Sequence, residues 1–204
     1  MLLHKLREAM ASEMFGATLS GIVEVDGVYV GGYVKRANWK NSRKDMRLAR
    51  NQTGKRQVIV EMRQRGGKTL VSVHEHESQA IPTICQRVEL GTIIHADEAS
   101  HFDVLSERYR LERINHSECY SDGIACTNWA ENFNAPIRRM EKGCYHHIAG
   151  RYLLAYAEEA AWRENNSRIS NGEKFLMLTN LALTVPASAQ WTGYSRYGTR
   201  RRRG

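Results

Sequence analysis

Two aspartates sit where aspartate is poorly suited. Asp26 interrupts the valines of V-E-V-D-G-V-Y-V-G-G, and Asp97 closes T-I-I-H-A-D-E. Strands disfavour Asp, and an unpaired buried carboxylate is costly, so an acid there has a specific partner: an arginine, a backbone cap or a metal. No turn signal precedes Gly31 to account for Asp26, whereas Asp97 serves equally well as a helix cap ahead of Glu98. If adjacent strands bring both carboxylates to one edge of a sheet, their hard oxygens suit Mg²⁺ or Mn²⁺. Two such ions polarise a phosphate and activate water or a 3′-hydroxyl for in-line attack. That chemistry usually takes a third acid. Glu131, in T-N-W-A-E-N-F-N, is the leading candidate, but Asn128 followed by Glu131 is also the spacing of a capping box. Glu24, which shares a face with Asp26, is a rival, as are Glu98 and the pair Glu158–Glu159.

Other chemistries find less support. His74 and His76 lie two apart on an expected strand and read as its exposed polar end rather than as metal ligands. His146 and His147 are adjacent, a spacing that seldom serves one metal. Gly66-Gly67 is a turn, since no G-x-x-x-x-G-K-[ST] phosphate loop is present. No Ser-His-Asp or Cys-His arrangement has a supporting motif. Trp39, Trp129, Trp162 and Trp191 are expected to pack. Cys85, Cys119, Cys126 and Cys144 are scattered without a C-x-x-C pair, so disulfides and structural zinc are not expected, and a reducing cytoplasm is.

The elements that must position the acids follow from pattern. Ile22 to Val30 is apolar on both faces, as in a central buried strand. Gln57 to Met62 and Thr69 to His74 are strands joined at Gly66-Gly67 as a hairpin. Ile81 to Val88 is a short helix entered through Pro82, and Thr92 to Ala96 is another buried strand. Ser100 begins a helix with Phe102, Leu105 and Tyr109 on one stripe and Asp103 as capping-box partner. A short strand around Arg113 to Asn115 follows. Helices are expected from near Asn128, from Gly150 to about Asn165 and from Glu173 to about Thr184. This order predicts an α/β fold, a mixed sheet flanked by helices with a C-terminal helical extension.

Composition sets the partner class. The 204 residues are 42% apolar, enough for one substantial core, and 30 Lys and Arg against 22 Asp and Glu give +8. That surplus favours an anionic partner, nucleic acid or an acidic membrane surface. No apolar run approaches the roughly 18 residues of a membrane span, and Met1 to Met10 reads as an amphipathic helix. From Lys35 to Arg56 the chain is densely basic, an exposed loop with one short helical turn. The tail ends in Arg200 to Arg203 and is expected to be disordered.

Several motifs in order carry a resemblance. V-E-V-D-G-V-Y-V-G-G, H-A-D-E-A-S, I-N-H-S-E, T-N-W-A-E-N-F and G-C-Y-H-H-I-A-G, with N-Q-T-G-K-R before the second strand, resemble DDE transposases of bacterial insertion sequences, in the branch with an ISXO-type catalytic domain. The resemblance covers roughly residues 21–171. It implies an RNase H-like fold, with Asp26, Asp97 and Glu131 as the catalytic, metal-binding triad and two Mg²⁺ or Mn²⁺ ions as cofactor. It also implies strand cleavage and transfer on double-stranded DNA (transposon ends and target), homo-oligomers when active and a cytoplasmic, nucleoid-associated location. Arg138 falls where family members place a basic DNA contact. Lys35, Arg36, Lys40, Arg43, Lys44, Arg138 and Arg139 are therefore the expected DNA-binding residues, giving affinity that falls steeply with salt. The domain plan is a remnant of an upstream helix-turn-helix over 1–12, the catalytic domain over 20–150, helices over 151–185 and a basic tail over 186–204. Two departures define an alternative. Pro136 falls inside the helix that should carry Glu131, where proline removes a backbone bond and kinks the axis at about 3 kcal/mol; a helix starting there instead leaves Glu131 on a loop. The chain also begins beyond the zinc ribbon and helix-turn-helix of full family members. The alternative is thus a truncated, inactive remnant that only binds DNA, and a third reading is a nuclease of the same fold.

Overall fold

The computed structural model describes residues 2–51, 56–97, 100–114, 128–145, 148, 150–186 and 188. In chain order the helix α1 (Leu2–Ser12) leads into strand β1 (Ile22–Val30). A two-residue ribbon, β2 (Val34–Lys35) with β3 (Lys44–Asp45), precedes β4 (Gln57–Gln64) and β5 (Thr69–His74). Helix α2 (Ile81–Arg87), strands β6 (Ile93–Asp97) and β7 (Arg110–Ile114), and helices α3 (Asn128–Arg139), α4 (Leu153–Asn165) and α5 (Asn171–Thr184) complete it.

The five longer strands form one sheet in the order β5-β4-β1-β6-β7. β1 pairs antiparallel with β4, and β4 with β5, while β6 lies parallel to β1 and β7 parallel to β6. This is the expected mixed sheet flanked by helices. β1, β4 and β6 are central and buried on both faces: Val23, Val25, Val58, Val60, Ile94 and Ala96 on one, Val28, Val30 and Ile59 on the other. The stripe Phe102, Leu105 and Tyr109 is buried as the pattern predicts, but the segment Ser100–Glu107 is a 3₁₀ helix. Its Asp103 pairs with Arg113 of β7.

The two faces of the sheet differ in chemistry. On β1, Val23, Val25 and Gly27 point one way and Glu24, Asp26 and Val28 the other, by the period of two. A Cβ on Gly27 would stand 2.6 Å from Glu77 Oε1, so the 3₁₀ turn Glu77–Ala80, and α2 which continues it, lie on the Val25 face. α3 packs on β1 and β4 from the Asp26 face, and α4 covers β5. α1 packs against α4 and α5, with Arg7 Nε 2.7 Å from Glu159 Oε2 in a buried ion pair.

Several expectations need correction. The segment from Lys35 carries the β2–β3 ribbon and two 3₁₀ turns, so it is more than an irregular loop. The last strand runs Arg110–Ile114, starting earlier than expected, and Asn115 lies outside the described residues. β5 stops at His74, so His76 is not on the strand; it caps the following turn. Trp39 is 79% exposed and does not pack, whereas Trp162 is buried with its Nε1–H donating to Glu13. Residues 187 and 189–204 of the tail, the histidine pair His146–His147, residues 52–55, Cys119 and Cys126 lie outside the described residues. No described helix is long and apolar enough to cross a membrane.

Ile94 fills the centre of the sheet beside the strand end that carries Asp97. Ile94→Ala should cost about 2–5 kcal/mol of stability, measured by urea denaturation; a loss below about 1 kcal/mol would contradict this packing.

Candidate active site

Asp26 is half-buried on β1 and held at both oxygens. The Gly27 N–H donates to Oδ1 at 2.7 Å, and the Asn134 amide of α3 donates to Oδ2 at 2.7 Å. Charge-assisted bonds of this kind fix the carboxylate's direction.

Asp97 ends β6. The parallel register pairs Glu24 with His95 and Val25 with Ala96, so Asp26 and Asp97 are the next positions along the two strands. The chain order reverses between β1 and β6, and ligands of open α/β sheets bind at such a switch point, beyond the strands' carboxyl ends.

Glu131 lies on α3, three residues before Asn134 and hence on the same helix face. The bond from Asn134 to Asp26 ties that face to β1. α3 runs through Pro136 without interruption, so a helix beginning at Pro136 is not what the structure contains. Proline leaves the carbonyl of Asn132 without its helical donor. Phe133 and Ile137, both fully buried, fasten the helix on either side of that proline. α3 then loosens into a π-helical turn over Met140–Cys144, from which Glu141 Oε1 accepts the Gly31 N–H at 3.1 Å. The side chains of Asp97 and Glu131 lie outside the described residues, and among the described ones no three His, Cys, Asp or Glu groups form a metal cage.

The rival acids have other work. Glu24 is fully buried and accepts from Arg65 Nε at 2.9 Å; Arg65 Nη2 lies 3.1 Å from His95 Nδ1, and His95 Nε2 lies 3.4 Å from Glu112 Oε2. Glu159 is taken by Arg7, Arg163 and the Tyr145 hydroxyl. Glu158 lines a cleft of about 420 Å³ between α1, β4, β5, α2 and α4, where burial pushes its carboxyl up to about 7 despite the opposing charge of Arg87. Glu98 lies outside the described residues.

One acid escaped the sequence reading. Glu61 of β4 stands directly opposite Asp26 in the antiparallel register and is 1% exposed. Neither of its carboxyl oxygens has a hydrogen-bond partner among the described residues. Burial first, then the charge of Asp26, holds its carboxyl well above the usual range, with Arg63 opposing. The signal was present in Q-V-I-V-E-M, a carboxylate inside an apolar strand like Asp26 itself. Hard oxygens on neighbouring strands, two of them unsatisfied, are a donor set that fits Mg²⁺ or Mn²⁺.

The chain matches the ISXO2-like transposase domain family over residues 18–165. It belongs to that family. A crystal structure of the Mos1 strand transfer complex is similar over 88% of this chain and 58% of that one, at 12% identity and a TM-score of 0.33. The chain therefore spans little more than half that protein's length, and so distant a likeness carries no argument. No curated protein matches the chain.

Around the acids of this ISXO2-like domain the basic residues fall in two exposed groups. Lys35, Arg36, Lys40, Arg43 and Lys44 lie on the ribbon segment that follows β1, and Arg138 and Arg139 form the last turn of α3. The Gly31–Glu141 bond joins the base of the ribbon segment to the turn after α3, so both groups flank one end of β1. Arg47 and Arg56 of the same segment are engaged within the fold, Arg47 by Asp45 and Arg56 over the Tyr29 ring at 4.1 Å.

Glu158 generates a pH prediction. Its folded pKa of about 7 lies above the ordinary 4.5, so its contribution to stability is full below about 4.5 and lost as pH rises through 7. Glu158→Gln should therefore raise the melting temperature more at pH 8 than at pH 5. An equal change at both values would contradict the assignment.

Proposed function

We propose that this chain is a transposase catalytic domain that cleaves DNA strands and joins them at insertion-sequence ends, with Asp26, Asp97 and Glu131 as its cation-holding carboxylates. The observation that carries the reading is the parallel register of β1 and β6, whose last pair, Val25 with Ala96, immediately precedes Asp26 and Asp97 in each strand. Family membership supports the same conclusion. When bound, a pair of Mg²⁺ or Mn²⁺ ions supplies Lewis-acid polarisation of the phosphate and a more acidic attacking hydroxyl.

The chain's own residues do the rest. Gly27 and Asn134 hold the Asp26 carboxylate in one orientation, so little reorganisation is needed when substrate arrives. The ribbon lysines and arginines, with Arg138 and Arg139, neutralise phosphates on either side of the reacting bond. Such contacts position the duplex and read little sequence. Membership of a transposase family and an uninterrupted α3 favour the enzyme over a remnant that only binds DNA.

A nicking assay on supercoiled plasmid tests this. The chain should nick DNA in Mg²⁺ or Mn²⁺, and Asp97→Asn should reduce nicking to the level of a metal-free control while leaving DNA binding intact. DNA binding without cleavage in either metal, unchanged by Asp97→Asn, would establish the remnant instead. Transfer of precut ends into a target distinguishes a transposase from a nuclease that only hydrolyses.

A further inference from the structure

The acid that the proposed triad does not use is Glu61, and its surroundings are hard to explain by packing alone. It lies inside the sheet, on the strand next to β1, directly across from Asp26. Directly opposed side chains of an antiparallel pair have Cβ atoms about 4.5–5.5 Å apart and project from the same face. That face is the one α3 covers through Asn134, Phe133 and Ile137. Like charges directly opposed across two strands are destabilising. A carboxyl group buried without a donor forfeits its hydration with nothing in exchange.

The neighbouring acids show how the fold treats a carboxylate it needs only for structure. Glu24, two residues before Asp26 and as buried as Glu61, has Arg65 at 2.9 Å. Glu159 has three donors. Glu164 takes Arg63 at 2.6 Å, although Arg63 is only two residues from Glu61 on β4. Each has a cation or donor at hydrogen-bond distance, whereas both oxygens of Glu61 lack a donor among the described residues. Asp26, its opposite number, is restrained at each oxygen by a neutral N–H donor. Two carboxylates on adjacent strands, facing one space, are a half-built cage for a hard divalent cation.

Resting on the function proposed above, we propose that Glu61 supplies a fourth carboxylate ligand, from β4, to the divalent cation that Asp26 holds. The cation would satisfy the two orphaned oxygens and remove the repulsion across β1 and β4.

The test is Mn²⁺ binding to the full chain, followed by electron paramagnetic resonance of free Mn²⁺, together with thermal melts with and without the ion. Glu61→Gln keeps the shape and removes the charge. It should weaken Mn²⁺ binding roughly tenfold or more and shrink the Mn²⁺-induced rise in melting temperature, while the metal-free melting temperature stays the same or rises. Glu61→Asp retains the charge but pulls it back by one methylene, and should also bind Mn²⁺ more weakly; it serves if the Gln variant does not fold. Asp26→Asn provides the control. Loss of Mn²⁺ affinity in Asp26→Asn with unchanged affinity in both Glu61 variants would overturn the role of Glu61 and leave the proposed function standing. Wild-type chain that binds no Mn²⁺, or Asp26→Asn that binds it normally, would overturn both.

Discussion

Negative charge crowded onto one face of a sheet has to be balanced, or the strands that carry it are pushed apart. Glu24, Asp26 and Glu61 occupy that face on two paired strands. The fold balances them unequally. Glu24 receives the guanidinium of half-buried Arg65, Asp26 receives two neutral N–H donors, and Glu61 receives no donor among the described residues. The gradient runs from full neutralisation at the start of β1 toward less compensated carboxylates at its middle, where a cation is proposed to bind. Apolar packing on the opposite face, through Val23, Val25, Val60 and Ile94, supplies the cohesion that lets the charged face exist.

α3 is the second half of that arrangement. Its buried pair Phe133 and Ile137 anchors it, and Asn134, between them on the helix surface, reaches Asp26. Pro136 weakens the helix's own hydrogen bonding and so shifts the burden of holding it onto packing. The π-helical turn that follows lets Glu141 turn back to the Gly31 amide, closing a loop of contacts from β1 through α3 and back to β1. α3 is thus held by tertiary contacts from its middle to the turn beyond its end.

Much of this was legible in the residues. β-branched runs mark the central strands, Gly66-Gly67 marks the hairpin, and Asp26 and Asp97 announce themselves as acids in apolar company. What was missed had physical reasons. β7 starts earlier than its pattern suggests, because the charges of R-L-E are met in space: Glu112 lies near His95 of β6 and pairs with Arg110. The β2–β3 ribbon has two residues per strand, too few to show a period. Trp39 was expected to pack because tryptophans usually do; it lies in a segment with few apolar residues to cover it. Glu61 looks like the polar position of a half-exposed strand, and only the register with β1 reveals that it faces Asp26. The Arg7–Glu159 pair joins residues far apart in the chain, which spacing cannot foresee.

The central claim is that carboxylates from separate stretches of chain converge to hold hard cations. Anomalous diffraction from crystals of the chain grown with Mn²⁺ tests it most directly, because the ions report their own positions. The account predicts anomalous peaks between β1 and β6, within bonding distance of the Asp26 and Asp97 carboxylates. Ordered carboxylates there with no Mn²⁺ between them at saturating concentration, or Mn²⁺ bound only elsewhere, would contradict it.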